Sequence, residues 1–322
     1  MKAVSAPSAK TIPRKKPARR GSTLWKSIVR DKYLYLLLVP VLAYYLIFKY
    51  LPMFGEIIAF KNYRFADGIL GSQWVGLKHF QRLFTSPDFF TILRNTLLLN
   101  LYGVVFAFPV PIVLALVLNE VRVEWYKRTV QNLLYIPHFI SWVVLGGIVI
   151  ALLSPSTGIV NYLLVKLTGI EPIYFMASNF WWPIVFILSG IWQNAGWGTI
   201  LYLAAMANID PQLYDAAKID GAGKLRQIWH VTLPGIRSTI AILLILRMGQ
   251  MMDVGFEHIF VLQNSAVRQV ADVISTYVYR VGLEGMQYSY TTALGLFQSV
   301  IGLILIVSVN KLIKSLGENG LW

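Results

Sequence analysis

Arg247, Gln250, Asp253 and Glu257 recur at spacings of three, three and four inside one long apolar run. On a continuous helix that spacing puts all four on one face. A second polar cluster, Trp192, Gln193, Asn194 and Trp197, interrupts another apolar run in the stretch IWQNAGWG. Ionisable and amide groups are expensive in such surroundings, so they mark a water-filled path, a ligand site or a bond to another polar element. Aromatic faces stack on the apolar faces of sugar rings, and amides both donate to and accept from hydroxyls. The same groups serve equally to bond spans to one another or to a second subunit, and both uses stay open at this level.

The elements that position these clusters are long and apolar. Of the 322 residues 56% are hydrophobic and 14% are charged, against about a quarter charged in a soluble domain. The pattern predicts an all-α polytopic membrane protein with six transmembrane helices, near 33–51, 95–118, 130–153, 183–206, 236–261 and 290–312, each long enough to cross hydrocarbon. The net charge of +14 is first a topology signal. With the N-terminus inside, about two thirds of the 29 Lys and Arg fall in the cytoplasmic segments, as the positive-inside rule expects. Both termini are then cytoplasmic. Residues 1–32 form a basic tail with little apolar surface to bury, predicted to be largely disordered. Residues 33–322 form the membrane domain.

Between the spans, the amphipathic stretch GLKHFQRLF predicts an interfacial helix with Phe80, Leu83 and Phe84 on the membrane. Pro109 and Pro111 predict a kink in the second span. Trp181 and Trp182 fit an interfacial aromatic belt at the start of the fourth, and DVISTYVYRVGL (272–283) reads as an external helix. Glu257 and His258 are expected near the external surface. Arg247 falls about twelve residues into span five, near mid-bilayer at roughly 1.5 Å per residue. A charge there costs about 2.5–3.5 kcal/mol, so it faces water, a ligand or an acid. Asp253, six residues on, is out of reach along the helix, so the partner of Arg247 lies elsewhere.

The most patterned polar segment is 207–234. Asp210 can cap a helix, Pro211 fits its first position, and Gly221 is placed to end it in a left-handed conformation. Leu213, Ala216 and Ala217 form a small apolar face, with Asp215 and Lys218 off it. A second amphipathic piece runs from Ala222 to His230, and Pro234 closes the segment. The order Asp215-Ala216-Ala217, three residues ending in Asp220, Gly221, nine residues, then Val231-Thr232-Leu233-Pro234 resembles the cytoplasmic EAA loop of binding-protein-dependent ABC importer permeases. It departs from that pattern by Asp215 for Glu and Val231 for Ile. WVGLKHFQRLF, RNTLLLNLYGVVFAFPVPIVLALVLNEV, YIPHFISWVV and YSYTTALGLFQSVIGLI extend the resemblance to maltose-type oligosaccharide permeases over 33–322. Within these the chain is most similar to the Gram-positive branch that imports fragments of complex polysaccharides.

That resemblance implies a subunit in a bacterial cytoplasmic membrane. Its implied partners are a second homologous permease, two ATPase subunits and an extracellular solute-binding lipoprotein, with membrane lipid around it and an oligosaccharide as cargo. ATP and Mg belong to the ATPase, which would dock on Leu213, Asp215, Ala216, Ala217, Asp220 and Gly221. Sugar contacts would come from the two polar clusters. For Arg247 the candidates are a carboxylate of an acidic sugar, such as a uronate-containing pectin fragment, and an acid on the second permease. The chain itself carries no enzyme signature and no cofactor or metal is expected on it. GAGK (221–224) fails as a phosphate loop, because Lys218 stands where the first Gly must be and Leu225 where Ser or Thr must be. The four histidines are dispersed, no Cys is present, and nothing indicates nucleic acid. An ion-coupled secondary transporter would use Arg247, Asp253 and Glu257 as a relay but leaves the docking loop unexplained. A membrane scaffold leaves the polar clusters without a purpose.

Overall fold

The computed structural model describes residues 29–317, 320 and 321. The predicted basic tail lies outside the described residues up to position 28. The chain divides into two units, Met1–Glu56 and Ile57–Trp322. The first holds a helix from Lys32 to Tyr45, drawn on through a wide turn at Leu46–Tyr50.

Among the described residues five helices are long and apolar enough to cross a membrane. They are span one (Lys32–Phe60), span two (Pro87–Glu120), span four (Trp181–Ala207), span five (Lys224–Gly249) and span six (Tyr288–Ser315). Span three is a bent pair, Glu124–Phe139 and Trp142–Leu153, meeting at 103°. Counting the pair as one span makes the six expected from hydropathy. A two-residue antiparallel pairing, Lys61–Asn62 with Gln73–Trp74, is the minor β component.

Several boundaries move, each for a local reason. Span two starts at Pro87 rather than 95, because Phe89 and Ile92 are buried against span six. Its prolines are absorbed by a π-helical turn at Gly103–Ala107: the Phe108 N–H reaches back to the Gly103 carbonyl at 2.9 Å, just before Pro109 breaks the ladder. Span three is not the straight segment 130–153. Pro137 ends its first arm, and the chain turns at Ile140 and Ser141. Span five starts twelve residues before the predicted 236, since a π turn at Ile228–Thr232 carries the helix past Pro234. It ends at Gly249 instead of 261. Gly255, at φ +85°, turns the chain into a short helix, Phe256–Leu262.

Packing also relocates residues assigned to the membrane surface. Leu83 of the Lys78–Thr85 helix is fully buried, whereas Phe84 stays exposed, with its ring edge against Phe297 of span six at 5.8 Å between ring centres. Trp182 is fully buried, and its Nε1 donates to the Leu262 carbonyl at 2.9 Å, so it pins span four to the short helix after span five. The helical segment predicted at 272–283 is found at Ile274–Tyr277, running on as a wide turn to Glu284.

Candidate functional site

Spans two, four and five, with the segment that follows span five, line an open cavity of about 390 Å³ whose lining includes Leu99, Gly103, Phe186, Asn194, Arg247 and His258. Arg247 sits in the last turn of span five, not at its middle. Its Nη2 donates to Asn100 Oδ1 at 3.0 Å, so its partner is an amide on span two. Asn100 is fully buried, and its Nδ2 donates to the Thr96 carbonyl at 3.0 Å. Asn194 Nδ2 donates to the Gly190 carbonyl and to Gln193 Oε1, while its Oδ1 lies 3.2 Å from His138 Nδ1. The His138 ring stacks on Trp197 at 4.7 Å and 4°. The cavity is thus polar at Arg247 and Asn194 and aromatic or aliphatic elsewhere.

The predicted four-residue stripe does not form. Because the helix ends at Gly249, Gln250 is its cap and Asp253 lies in the following turn, where its Oδ1 accepts from the Gly255 N–H at 2.9 Å. Glu257 is exposed in the first turn of the short helix. Of these four, Arg247 alone lines the cavity. In the other cluster, Gln193 is buried and its Nε2 donates to the Ile140 carbonyl at 3.1 Å, holding the bend of span three. Trp192, 46% exposed, lines a separate apolar groove with Val149, Leu152 and Phe175.

Three residues of the site escaped the sequence reading. Asn100 and Gly103 sit in the apolar run LLLNLYG, where a buried amide was the available signal. His258 is buried among side chains: its ring lies between Trp142 (3.4 Å) and Phe186 (3.9 Å), and Ser189 Oγ lies 2.9 Å from its Nε2. Nothing in the spacing of the histidines points to that sandwich.

The 210–232 segment follows its local grammar. The Asp210 carboxylate accepts from the Gln212 N–H at 2.9 Å and the helix runs Pro211–Ile219. Asp220 caps it, Gly221 takes φ +72°, and the Ala222 N–H closes the turn on the Ala217 carbonyl at 2.8 Å. Lys218 pairs with Asp215 at 2.8 Å, off the face of Leu213, Ala216 and Ala217. Tyr214 Oη meets Thr232 Oγ1 at 3.0 Å and fastens the helix to the foot of span five. The surface also presents large apolar groups that the motif does not specify: Ile219 is 86% exposed, Leu225 75% and Trp229 67%.

Residues 107–317 match the sequence model of the family described as "Binding-protein-dependent transport system inner membrane component". The chain is 50% identical over 317 residues to the polygalacturonan/rhamnogalacturonan transport system permease protein YteP of Bacillus subtilis, covering 98% of both chains. It is 48% identical to protein LplB of the same organism, over 97% of this chain and 99% of LplB. One chain in the crystal structure of a bacterial alginate ABC transporter, in complex with its alginate pentasaccharide-bound periplasmic protein, superposes with a TM-score of 0.85 at 42% identity. The match covers 92% of this chain and 99% of that one.

Proposed function

We propose, on the premise that this chain belongs to the family of binding-protein-dependent transport system inner membrane components, that it forms half of the path of an ATP-driven importer for acidic oligosaccharides released from polysaccharides. The observation that carries this reading is the cavity between spans two, four and five, with the Arg247 guanidinium on its wall. A guanidinium has five N–H donors, and Asn100 takes one. The others can take a uronate carboxylate by charge-assisted hydrogen bonds. The polygalacturonan/rhamnogalacturonan and alginate relatives support a cargo of this charge.

A second, homologous permease completes the path. An extracellular lipoprotein delivers the sugar on one side, and two ATPases bind ATP and Mg on the other. The ATPases act through the 207–234 segment, whose small face at Ala216 and Ala217 is flanked by exposed Leu213, Ile219, Leu225 and Trp229. Their closure moves spans four and five, which this segment joins, and the cavity changes the side to which it opens. Both termini and this segment lie in the cytoplasm of a bacterial cell. Trp192, Gln250, Asp253 and Glu257 stand off the cavity wall and are assigned to surfaces met by the second permease or the delivered sugar.

The test is uptake by the complete importer in liposomes. Oligogalacturonate uptake should require ATP, and Arg247→Met should lower it roughly tenfold or more, the worth of one hydrogen bond to a charged group, with the complex still assembled and hydrolysing ATP. Unchanged uptake by Arg247→Met would remove the acid-binding role. Weaker co-purification of the two permeases would instead assign Arg247 to an acid across their interface. Uptake driven by an ion gradient without ATP would replace the importer by a secondary transporter.

A further inference from the structure

We infer that Asn100 and Gly103 set the cavity's preference for anionic cargo, by holding Arg247 on a neutral acceptor and by leaving room for its guanidinium. This rests on the reading of Arg247 as the group that takes the cargo's carboxylate. A cation in a low-dielectric wall is most readily satisfied by a carboxylate of the same protein. Here the group placed against it is an amide, with Asn100 Oδ1 at 3.0 Å from Nη2. Among the described residues Arg247 enters no salt bridge. Asp253, beyond the end of the helix, uses its Oδ1 on the Gly255 N–H. The positive charge is therefore held by a neutral acceptor, and Asp253 acts on it only from beyond ion-pair contact.

The orientation of the amide is itself determined. Asn100 is fully buried and its Nδ2 donates to the Thr96 carbonyl at 3.0 Å, one turn back on span two. That bond leaves only the oxygen to face Arg247. Three residues on, at the start of the π turn, Gly103 lies under the same guanidinium: a Cβ there would stand 3.0 Å from Nη2. Any side chain would crowd the group that Asn100 positions. The plainer use of a buried asparagine in a membrane helix is to staple two spans together. Stapling alone predicts no dependence on the charge of the cargo, which is what separates the two.

The probes are trigalacturonate and its methyl ester, equal in backbone and different in charge, given to the complete importer in liposomes. Asn100→Asp places a carboxylate against Arg247 and should lower the acid-over-ester uptake ratio by about tenfold or more, the loss of one charge-assisted hydrogen bond, while ester uptake persists. A ratio unchanged in Asn100→Asp but lost in Arg247→Met would reduce Asn100 to a staple and overturn this inference, leaving the reading of Arg247 intact. A ratio unchanged in Arg247→Met would overturn that reading and this inference with it. Should Asn100→Asp fail to assemble, Gly103→Ala decides: it should raise the KM for the acid more than for the ester, and an equal effect on both would overturn the proposal.

Discussion

Asp272 shows what a single carboxylate holds in place outside the spans. It is buried, accepts from Thr276 Oγ1 at 2.9 Å and from Arg280 Nη2, and has Arg268 at 3.7 Å. Burial pushes its carboxyl up from the ordinary range, and the bonds from Thr276 and Arg268 pull against that. Its own backbone carbonyl accepts from Asn95 of span two at 2.9 Å. Asp272→Ala would remove the carboxylate that Arg268 and Arg280 both meet, leaving Asp88 as the acid lining their pocket, and would take one of the two acceptors of the Thr276 hydroxyl. The expected loss is about 1–3 kcal/mol, read as a lower thermal midpoint of the purified complex, with faster protease cleavage between 263 and 287. An unchanged midpoint would mean the segment is held by its apolar residues alone. Residue-level reading from sequence succeeded where the neighbours are local, as at Asp210 and Gly221. It failed at Trp182, Gln193 and His258, because each is satisfied by an atom at least 50 residues away, on the Leu262 carbonyl, the Ile140 carbonyl and Ser189 Oγ.

At the scale of elements, the 210–222 turn is the most tightly specified. Gly221 sits at φ +72° and donates its N–H to the Lys218 carbonyl at 3.0 Å. Proline there forbids that φ and removes that donor. Ala217, half-buried, supplies the carbonyl that closes the turn, and tryptophan in its place would overfill any cleft shaped for a methyl group. Gly221→Pro and Ala217→Trp should each leave the chain in the membrane while ATP hydrolysis by the complex no longer drives uptake. Coupled transport at the normal rate in both variants would remove this segment from the ATPase interface. Capping and glycine chemistry made this helix legible. Spans three and five were not, because hydropathy counts apolar residues and does not register where a helix turns. The bend at Ile140 is held by Gln193 from another span, and the end of span five by a glycine and an aspartate turn.

At the scale of the molecule, the cavity was only half visible in the sequence. Asn194 and Arg247 could be singled out because polar groups in apolar runs are costly. That they share one cavity with His258, and that Asn100 stands behind Arg247, depends on how three spans and the short helix after span five pack, which no spacing within a span encodes. Orientation is the opposite case, since the proposed one rests on where the positive charges fall rather than on packing. The chain has no native cysteine, so single cysteines report position without background. On the proposed topology Leu70, 93% exposed beside the two-stranded pairing, belongs to the side away from the 207–234 segment, with spans two, three and four between it and Gly223 when the bent pair counts as one crossing. Gly223 is exposed, and a Cβ added there meets nothing within 4 Å. In right-side-out vesicles a membrane-impermeant maleimide should label Leu70→Cys at once, and Gly223→Cys only after the membrane is opened. A denaturant step separates a cysteine covered by the ATPase from one that never reacts. Labelling of Gly223→Cys in sealed vesicles would put the docking segment outside. The ATPase could not then reach it, and both the topology and the importer mechanism built on it would fall.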